Sequence, residues 1–197
     1  MTANEKLREL LEKNQGFLKT SDALEAGVSK TTLGNFVRNN KLERVAHGLY
    51  MDSDNWSDEM FVIQFRYPKA IFSHETALYL LDLANREPEP LSVTFETGTN
   101  ATGLTKEGVK VYKVKSELFE VGLIEGKTMG GNSVRIYNAE RTICDLLRSR
   151  NNIEIQVLTD AIKDYLSLKQ KNIPQLMRYA KLFSVEKIIL PYLEVLL

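Results

Sequence analysis

The sequence predicts an α/β (α+β) protein: an N-terminal winged helix-turn-helix, then a mixed α/β domain with a small sheet and a C-terminal group of helices. Three observations carry that prediction. Over residues 1–51, three apolar stripes of helical period are followed by two short β-patterned runs around Ala46-His47-Gly48. Over residues 59–137 helical and extended patterns alternate, and from Asn138 onward the period is helical throughout. Between the first two regimes, Asp52 to Asp58 is polar and acidic with a lone Trp56, so the expected division is 1–51, a linker 52–58, and 59–197.

Each element follows from its residues. Leu7, Leu10 and Leu11 stand at i, i+3, i+4 and predict a first helix from Ala3 to Asn14, closed by Asn14 to Gly16. Thr20 or Ser21 caps a short second helix through Ala26, and Gly27 follows where a helix stop favours a left-handed backbone. Ser29 caps a third helix, Lys30 to Asn40, with Leu33, Phe36 and Val37 on its apolar face. Leu42 to Val45 and Leu49 to Met51 read as two strands of a wing about a tight turn at Gly48.

Beyond the linker, Glu59 to Tyr67 is helical and ends before Pro68, Ala70 to Phe72 is a short strand, and Ser73 caps a helix through Leu83. Ser92 to Phe95 and Val109 to Val114 read as strands separated by the loop Thr97 to Lys106. Thr128-Met129 and Ser133 to Tyr137 pair across Gly130-Gly131-Asn132. Asn138 caps a helix to Arg150; helices at Ile153 to Leu168, Ile173 to Phe183 and Ser184 to Leu197 follow, the last interrupted at Pro191.

Composition bounds the function. With 197 residues and 43% hydrophobic side chains the chain can bury a core. No apolar run approaches the roughly 18 residues of a membrane span, and the N-terminus is charged rather than leader-like. Cys144 is the single cysteine and has no zinc-like spacing to His or Cys. These observations predict a cytoplasmic protein with no metal and no cofactor. Net charge is zero but segregated: +2 over residues 1–51, −6 over 52–99 and +4 over 100–197. From Val28 to Tyr50 the only acid is Glu43, against Lys30, Arg38, Lys41 and Arg44.

That basic stretch coincides with the third helix and the hairpin, and the coincidence points to duplex DNA. A helix offered to the major groove needs one stripe for packing and a polar outer face with hydrogen-bonding side chains near its N-terminus. Ser29, Lys30, Thr31, Thr32 and Asn35 fall on or near that face, while Arg38 and Lys41 lie where phosphates pass. Arg44 and His47 on the hairpin suit an adjacent minor groove or phosphate. The competing reading is a small helical bundle with solvated charges, or a winged helix used for protein contacts.

Other features carry less. Gly98 to Thr105 has the glycine spacing of a phosphate-binding loop, but Leu104 stands where that motif needs Lys. His74-Glu75 has no second ligand at metal spacing, so His74 reads as a surface or capping neighbour; Cys144 reads as a packed small side chain. Arg141, Asp145 and Arg148 recur at i, i+4, i+7. They predict a solvated ion-pair ladder or, with Lys106, Lys110, Lys113 and Lys115, a basic ledge for a partner, RNA or nucleotide.

Three segments in this order, Arg44-Val45-Ala46-His47-Gly48-Leu49-Tyr50, Phe72-Ser73-His74-Glu75-Thr76-Ala77-Leu78 and Val134-Arg135-Ile136-Tyr137 running on through Asn138-Ala139-Glu140-Arg141-Thr142-Ile143-Cys144-Asp145-Leu146-Leu147, resemble the antitoxin of the AbiE abortive-infection systems, a type IV toxin–antitoxin family. The resemblance implies a bifunctional protein. Its winged helix would bind inverted repeats in its own promoter as a negative autoregulator of a two-gene operon. Its C-terminal domain would counter a nucleotidyltransferase-like toxin without a stable complex; the ledge read from spacing, Lys106, Lys110, Lys113, Arg141, Asp145 and Arg148, is the expected antitoxin surface. The resemblance brings no catalytic residue. Two other readings stand beside it: a ligand-sensing winged-helix transcription factor, and a nucleotide- or RNA-acting enzyme carrying a DNA-binding domain.

Overall fold

The computed structural model describes residues 1–53 and 57–196, so Trp56 and part of the expected linker at 52–58 lie outside the described residues. The fold is mixed α/β and divides into two compact units, Met1–Pro68 with Lys127–Ser133, and Lys69–Gly126 with Val134–Leu197.

In the first unit, α1 (Ala3–Lys13) opens with a capping box in which Thr2 and Glu5 exchange hydrogen bonds. Strand β1 (Phe17–Lys19), α2 (Thr20–Glu25), α3 (Lys30–Asn39), β2 (Glu43–Ala46), β3 (Leu49–Met51) and α4 (Glu59–Arg66) follow. The sequence pattern did not predict β1. Three residues are too few for a period, and Phe17 and Leu18 are both buried rather than alternating. It pairs antiparallel with β3, giving a three-stranded sheet of order β1-β3-β2. Leu7, Leu18, Ala23, Leu33 and Phe36 form one core cluster; Phe17, Leu49, Met51 and Phe61 form another, in which the rings of Phe17 and Phe61 meet edge to face at 4.7 Å.

Asp58 closes this unit. One carboxylate oxygen accepts from the Phe61 amide at 3.0 Å and caps α4; the other accepts from Thr128 Oγ1 at 2.5 Å and Asn132 Nδ2 at 2.8 Å. A turn from 127–133 is thereby held beside α4.

The second unit carries β4 (Ile71–Phe72), α5 (His74–Leu80), β5 (Ser92–Glu96), α6 (Thr102–Lys106), β6 (Lys110–Val114), α7 (Ser116–Phe119), β7 (Leu123–Lys127), β8 (Ser133–Tyr137), α8 (Ala139–Arg148), a 3-10 turn (Arg150–Asn152), α9 (Ile155–Ser167), α10 (Ile173–Leu182) and α11 (Glu186–Leu196). Its five-stranded sheet has the order β6-β5-β4-β8-β7, with β5 and β6 parallel, β4 and β8 parallel, and β4 and β5 antiparallel. Leu78, Ile143, Leu147, Ile162, Leu176 and Ile189 belong to the main helical core.

Several expectations need correction. The loop Thr97 to Lys106 contains α6, whose Leu104 is fully buried, so the glycine-spaced segment ends in a packed helical turn. The strand expected at Thr128-Met129 lies earlier, at Leu123–Lys127, because Thr128 and Asn132 bond to each other across the turn. Helix α5 stops at Leu80 instead of Leu83. Asp82 takes a left-handed φ of 57°, and the Leu83 amide donates back to the Leu78 carbonyl at 2.8 Å. Ser73 does not cap α5 through its side chain; its hydroxyl is engaged elsewhere. Pro191 lies inside α11.

Candidate nucleic-acid interface

Helices α2 and α3 are joined by a short turn whose conformation the sequence fixes. Gly27 has φ 78° and the Val28 amide donates to the Ala23 carbonyl at 2.9 Å, which ends α2; Lys6 Nζ donates to the Ala26 carbonyl at 2.7 Å. Ser29 then starts α3, its hydroxyl accepting from the Thr32 amide at 3.1 Å and lying 2.9 Å from Thr32 Oγ1. Leu33 and Phe36 turn into the core, and Lys30, Thr31, Asn35 and Arg38 are exposed. Lys41 is exposed too, in a left-handed conformation (φ 54°) that ends α3, with the Leu42 amide bonded to the Val37 carbonyl at 3.0 Å.

The exposed polar residues of α3 are not all independent. Arg38 donates from Nη2 to Asn35 Oδ1 at 2.7 Å and from Nε to the Gly34 carbonyl at 3.3 Å, so its guanidinium is folded back along the outer face. On the hairpin, β2 and β3 pair antiparallel with an irregularity between Arg44 and Ala46, and Gly48 has φ 78° at the turn. Arg44 Nη2 lies 2.7 Å from His47 Nδ1. Arginine can only donate, so Nδ1 accepts and the His47 ring proton lies on Nε2. The structure therefore brings Ser29, Lys30, Thr31, Thr32, Asn35, Arg38 and Lys41 together on or beside one helix, and Arg44 with His47 on the hairpin of the same unit.

The second set of expected residues divides. Lys106 is exposed at the end of α6; Lys110 on β6 makes an ion pair with Glu75 at 3.4 Å; Lys113 on the same strand donates to the Thr99 carbonyl at 3.0 Å. Arg141 and Asp145 are not on a surface: both are buried, which corrects the solvated ladder and removes them from any exposed ledge. The reason is the position of α8, which packs against α5, α9 and α10, so residues 141 to 147 are all enclosed. Arg141 Nε donates to Asp145 at 2.9 Å, its Nη1 donates to the Leu118 and Val121 carbonyls at 2.7 Å each, and its guanidinium lies 4.0 Å from the Tyr137 ring centroid and 4.1 Å from that of Phe183. Arg148 is partly exposed and lies 3.9 Å from Asp145.

His74 is likewise no surface residue. It is 3% exposed with φ 52°, its ring stacked on Tyr112 at 3.5 Å, its Nδ1 3.0 Å from Ser73 Oγ and its Nε2 3.1 Å from Ser149 Oγ; Thr94 Oγ1 donates to Ser73 Oγ at 2.8 Å. Burial, reinforced by the positive charges of Arg141, Lys110 and Arg148, lowers its pKa to about 3. The ring is neutral and a weak base, which suits a structural bracket between β6 and the end of α8. Sequence reasoning missed this cluster because its members are 73, 74, 94, 112 and 149, far apart along the chain. Cys144 is fully buried, and burial pushes its thiol up to about 12, the reverse of an activated nucleophile. Among the described residues no His, Cys, Asp and Glu group is arranged to hold a metal ion, and no helix is long and apolar enough to cross a membrane.

Comparison with known proteins gives two findings. Residues 5–51 match the family model described as "Transcriptional regulator, AbiEi antitoxin". The chain is similar in fold to the crystal structure of the RV2827C protein from Mycobacterium tuberculosis, with a TM-score of 0.59 at 11% identity over 92% of this chain and 72% of that one. At that identity the likeness concerns the fold alone. No curated protein matches the sequence.

Proposed function

We propose that the chain is the autoregulating antitoxin of a two-gene toxin–antitoxin system, a reading supported by the match of residues 5–51 to the AbiEi antitoxin transcriptional regulators. The observation that carries the reading is the division of α3 into a buried Leu33/Phe36 stripe and an exposed stripe with Thr31, Asn35 and Arg38, backed by the Arg44–His47 hairpin. In this reading α3 lies in the major groove of an operator upstream of its own gene, in half-sites arranged as inverted repeats. Ser29 and Thr32 fix the start of the helix, Lys30, Thr31, Asn35 and Arg38 face base edges or phosphates, Lys41 meets the backbone, and Arg44 with His47 reaches a phosphate or the adjacent minor groove.

The second unit supplies antitoxicity against a nucleotidyltransferase-like toxin in the cytoplasm, without a stable complex. Lys106, Lys113 and Arg148 are the exposed members of its proposed surface and Lys110, half-buried and paired with Glu75, adjoins them, while Arg141 and Asp145 hold the helix behind it.

Full-length Lys30→Ala, Arg38→Ala and Arg44→Ala proteins test the division of labour. Each is expected to weaken binding to the duplex upstream of the gene and to lower the slope of log affinity against log salt by about one unit per lost phosphate contact. All three are expected to keep protecting cells that express the neighbouring toxin gene. Unchanged salt titrations for all three variants would refute the DNA assignment, and loss of protection in folded protein would refute the separation of roles.

A further inference from the structure

Helix α3 carries one residue that its own stability opposes. Gly34 lies mid-helix within Lys30–Asn39, where glycine is the least favourable residue after proline. Nothing inside the molecule requires it. Its backbone is not left-handed, and a Cβ built there meets no atom within 4 Å. By contrast, a Cβ at Gly122 would stand 2.6 Å from Arg141 Cβ, and one at Gly126 would stand 2.5 Å from Ile136 Cδ1. Those glycines answer to the fold, whereas the space in front of Gly34 is open.

Gly34 is half-buried and lies midway along the exposed stripe, at its edge. Thr31, Gly34, Asn35 and Arg38 stand at i, i+3, i+4 and i+7, opposite Leu33 and Phe36. Arg38 is tied over this point: Nε donates to the Gly34 carbonyl and Nη2 to Asn35 Oδ1. Those two bonds leave Nη1 and the second Nη2 hydrogen as an end-on fork, the geometry that matches guanine O6 and N7.

We infer that Gly34 is where the backbone of α3 approaches the floor of the major groove most closely, and that Arg38, braced by Asn35 and the Gly34 carbonyl, reads a guanine there. The missing methyl is a clearance for the base edges, given up from helix stability. Arg38 shares its stripe with Gly34, which sets its free fork toward the base edges, while its charge beside the phosphates still adds to the salt dependence of binding. The inference rests on the operator-binding reading and adds the residue that sets the depth of the helix and the base it recognises.

The experiment uses full-length protein and the duplex from immediately upstream of the gene, made with guanine or with 7-deazaguanine, which lacks the N7 acceptor. Gly34→Ala is expected to slow amide hydrogen exchange across residues 30–39 by about 2–5-fold, because alanine is the better helix former. The same variant is expected to bind the operator roughly 5–100-fold more weakly, because the added methyl meets closely packed groups. Wild type is expected to lose about tenfold in affinity on the 7-deazaguanine duplex, and Arg38→Ala to lose little further there. A variant that gains protection and binds as wild type overturns the role of Gly34, as does one that loses protection. Indifference of wild type to 7-deazaguanine overturns the guanine assignment. Failure of wild type to bind the unmodified operator overturns instead the proposed function beneath both.

Discussion

At the scale of single residues, two of the second unit's buried polar side chains, His74 and Arg141, tie its stability to charge. His74 has its pKa lowered to about 3 by burial and by neighbouring cations, against 6.5 in the unfolded chain. A base whose folded pKa is depressed contributes its full stability above pH 6.5 and loses it as pH falls toward 3. At pH 4 the loss is on the order of 3 kcal/mol. Urea denaturation of wild type should therefore show stability falling between pH 6.5 and 4, while His74→Gln starts lower at pH 7 and has a shallower slope in that window. Parallel pH profiles would exclude His74 as the source. Arg141 is the second. Its removal strands the Asp145 carboxylate and two carbonyls in the core, so Arg141→Ala is expected to cost about 3–5 kcal/mol. A double Arg141→Met, Asp145→Leu protein should recover part of that loss, since the uncompensated charge disappears with the pair; equal instability of single and double variants would place the effect in the carbonyl contacts.

At the scale of elements, the helix ends repeat one device. After α1, α3, α5 and α10 a left-handed residue, Gln15, Lys41, Asp82 or Ser184, turns the chain so that the next amide bonds back to a carbonyl of the last turn. None of these four is glycine, and each carries the strain of a side chain at positive φ. Ser184→Gly, at an exposed site, is expected to raise stability by about 1 kcal/mol, read as a shift in the urea midpoint at constant m-value. Gly122→Ala should do the reverse and cost about 2 kcal/mol or more, since φ is 79° and the new methyl would collide with Arg141. The same device explains what was legible in the sequence. Helices with side-chain caps at Ser29, Asp58, Asn138 and Asn172 have starts that the residue type announces. The end of α5 lies three residues before the Leu83 that the pattern predicts, because Asp82 does not announce a stop by its residue type. The polar face of α3 and the hairpin charges could be read from spacing alone. The burial of Arg141 could not, because an i, i+4 ion pair has the same spacing on a solvated helix as on one packed by three neighbours.

At the scale of the whole molecule, the first unit extends past residue 51 on both counts that matter: α4 adds Phe61 to the cluster of Phe17, Leu49 and Met51, and Asp58 binds the turn at 127–133. A fragment 1–51 leaves that cluster in water and is expected to be about 2–3 kcal/mol less stable than 1–68, measured by urea denaturation of the two fragments. Equal stability would mean that α4 contributes no core. The return of the chain at Thr128 and Asn132 also imposes an order in time. During synthesis at about 5–20 residues per second, the ribosome delivers Ser133 roughly 3–13 s after Pro68. Throughout that interval the nascent first unit must wait with the Asp58 oxygen that does not cap α4 still lacking Thr128 and Asn132, and it acquires these last hydrogen bonds only when most of the second unit's sheet has already been made.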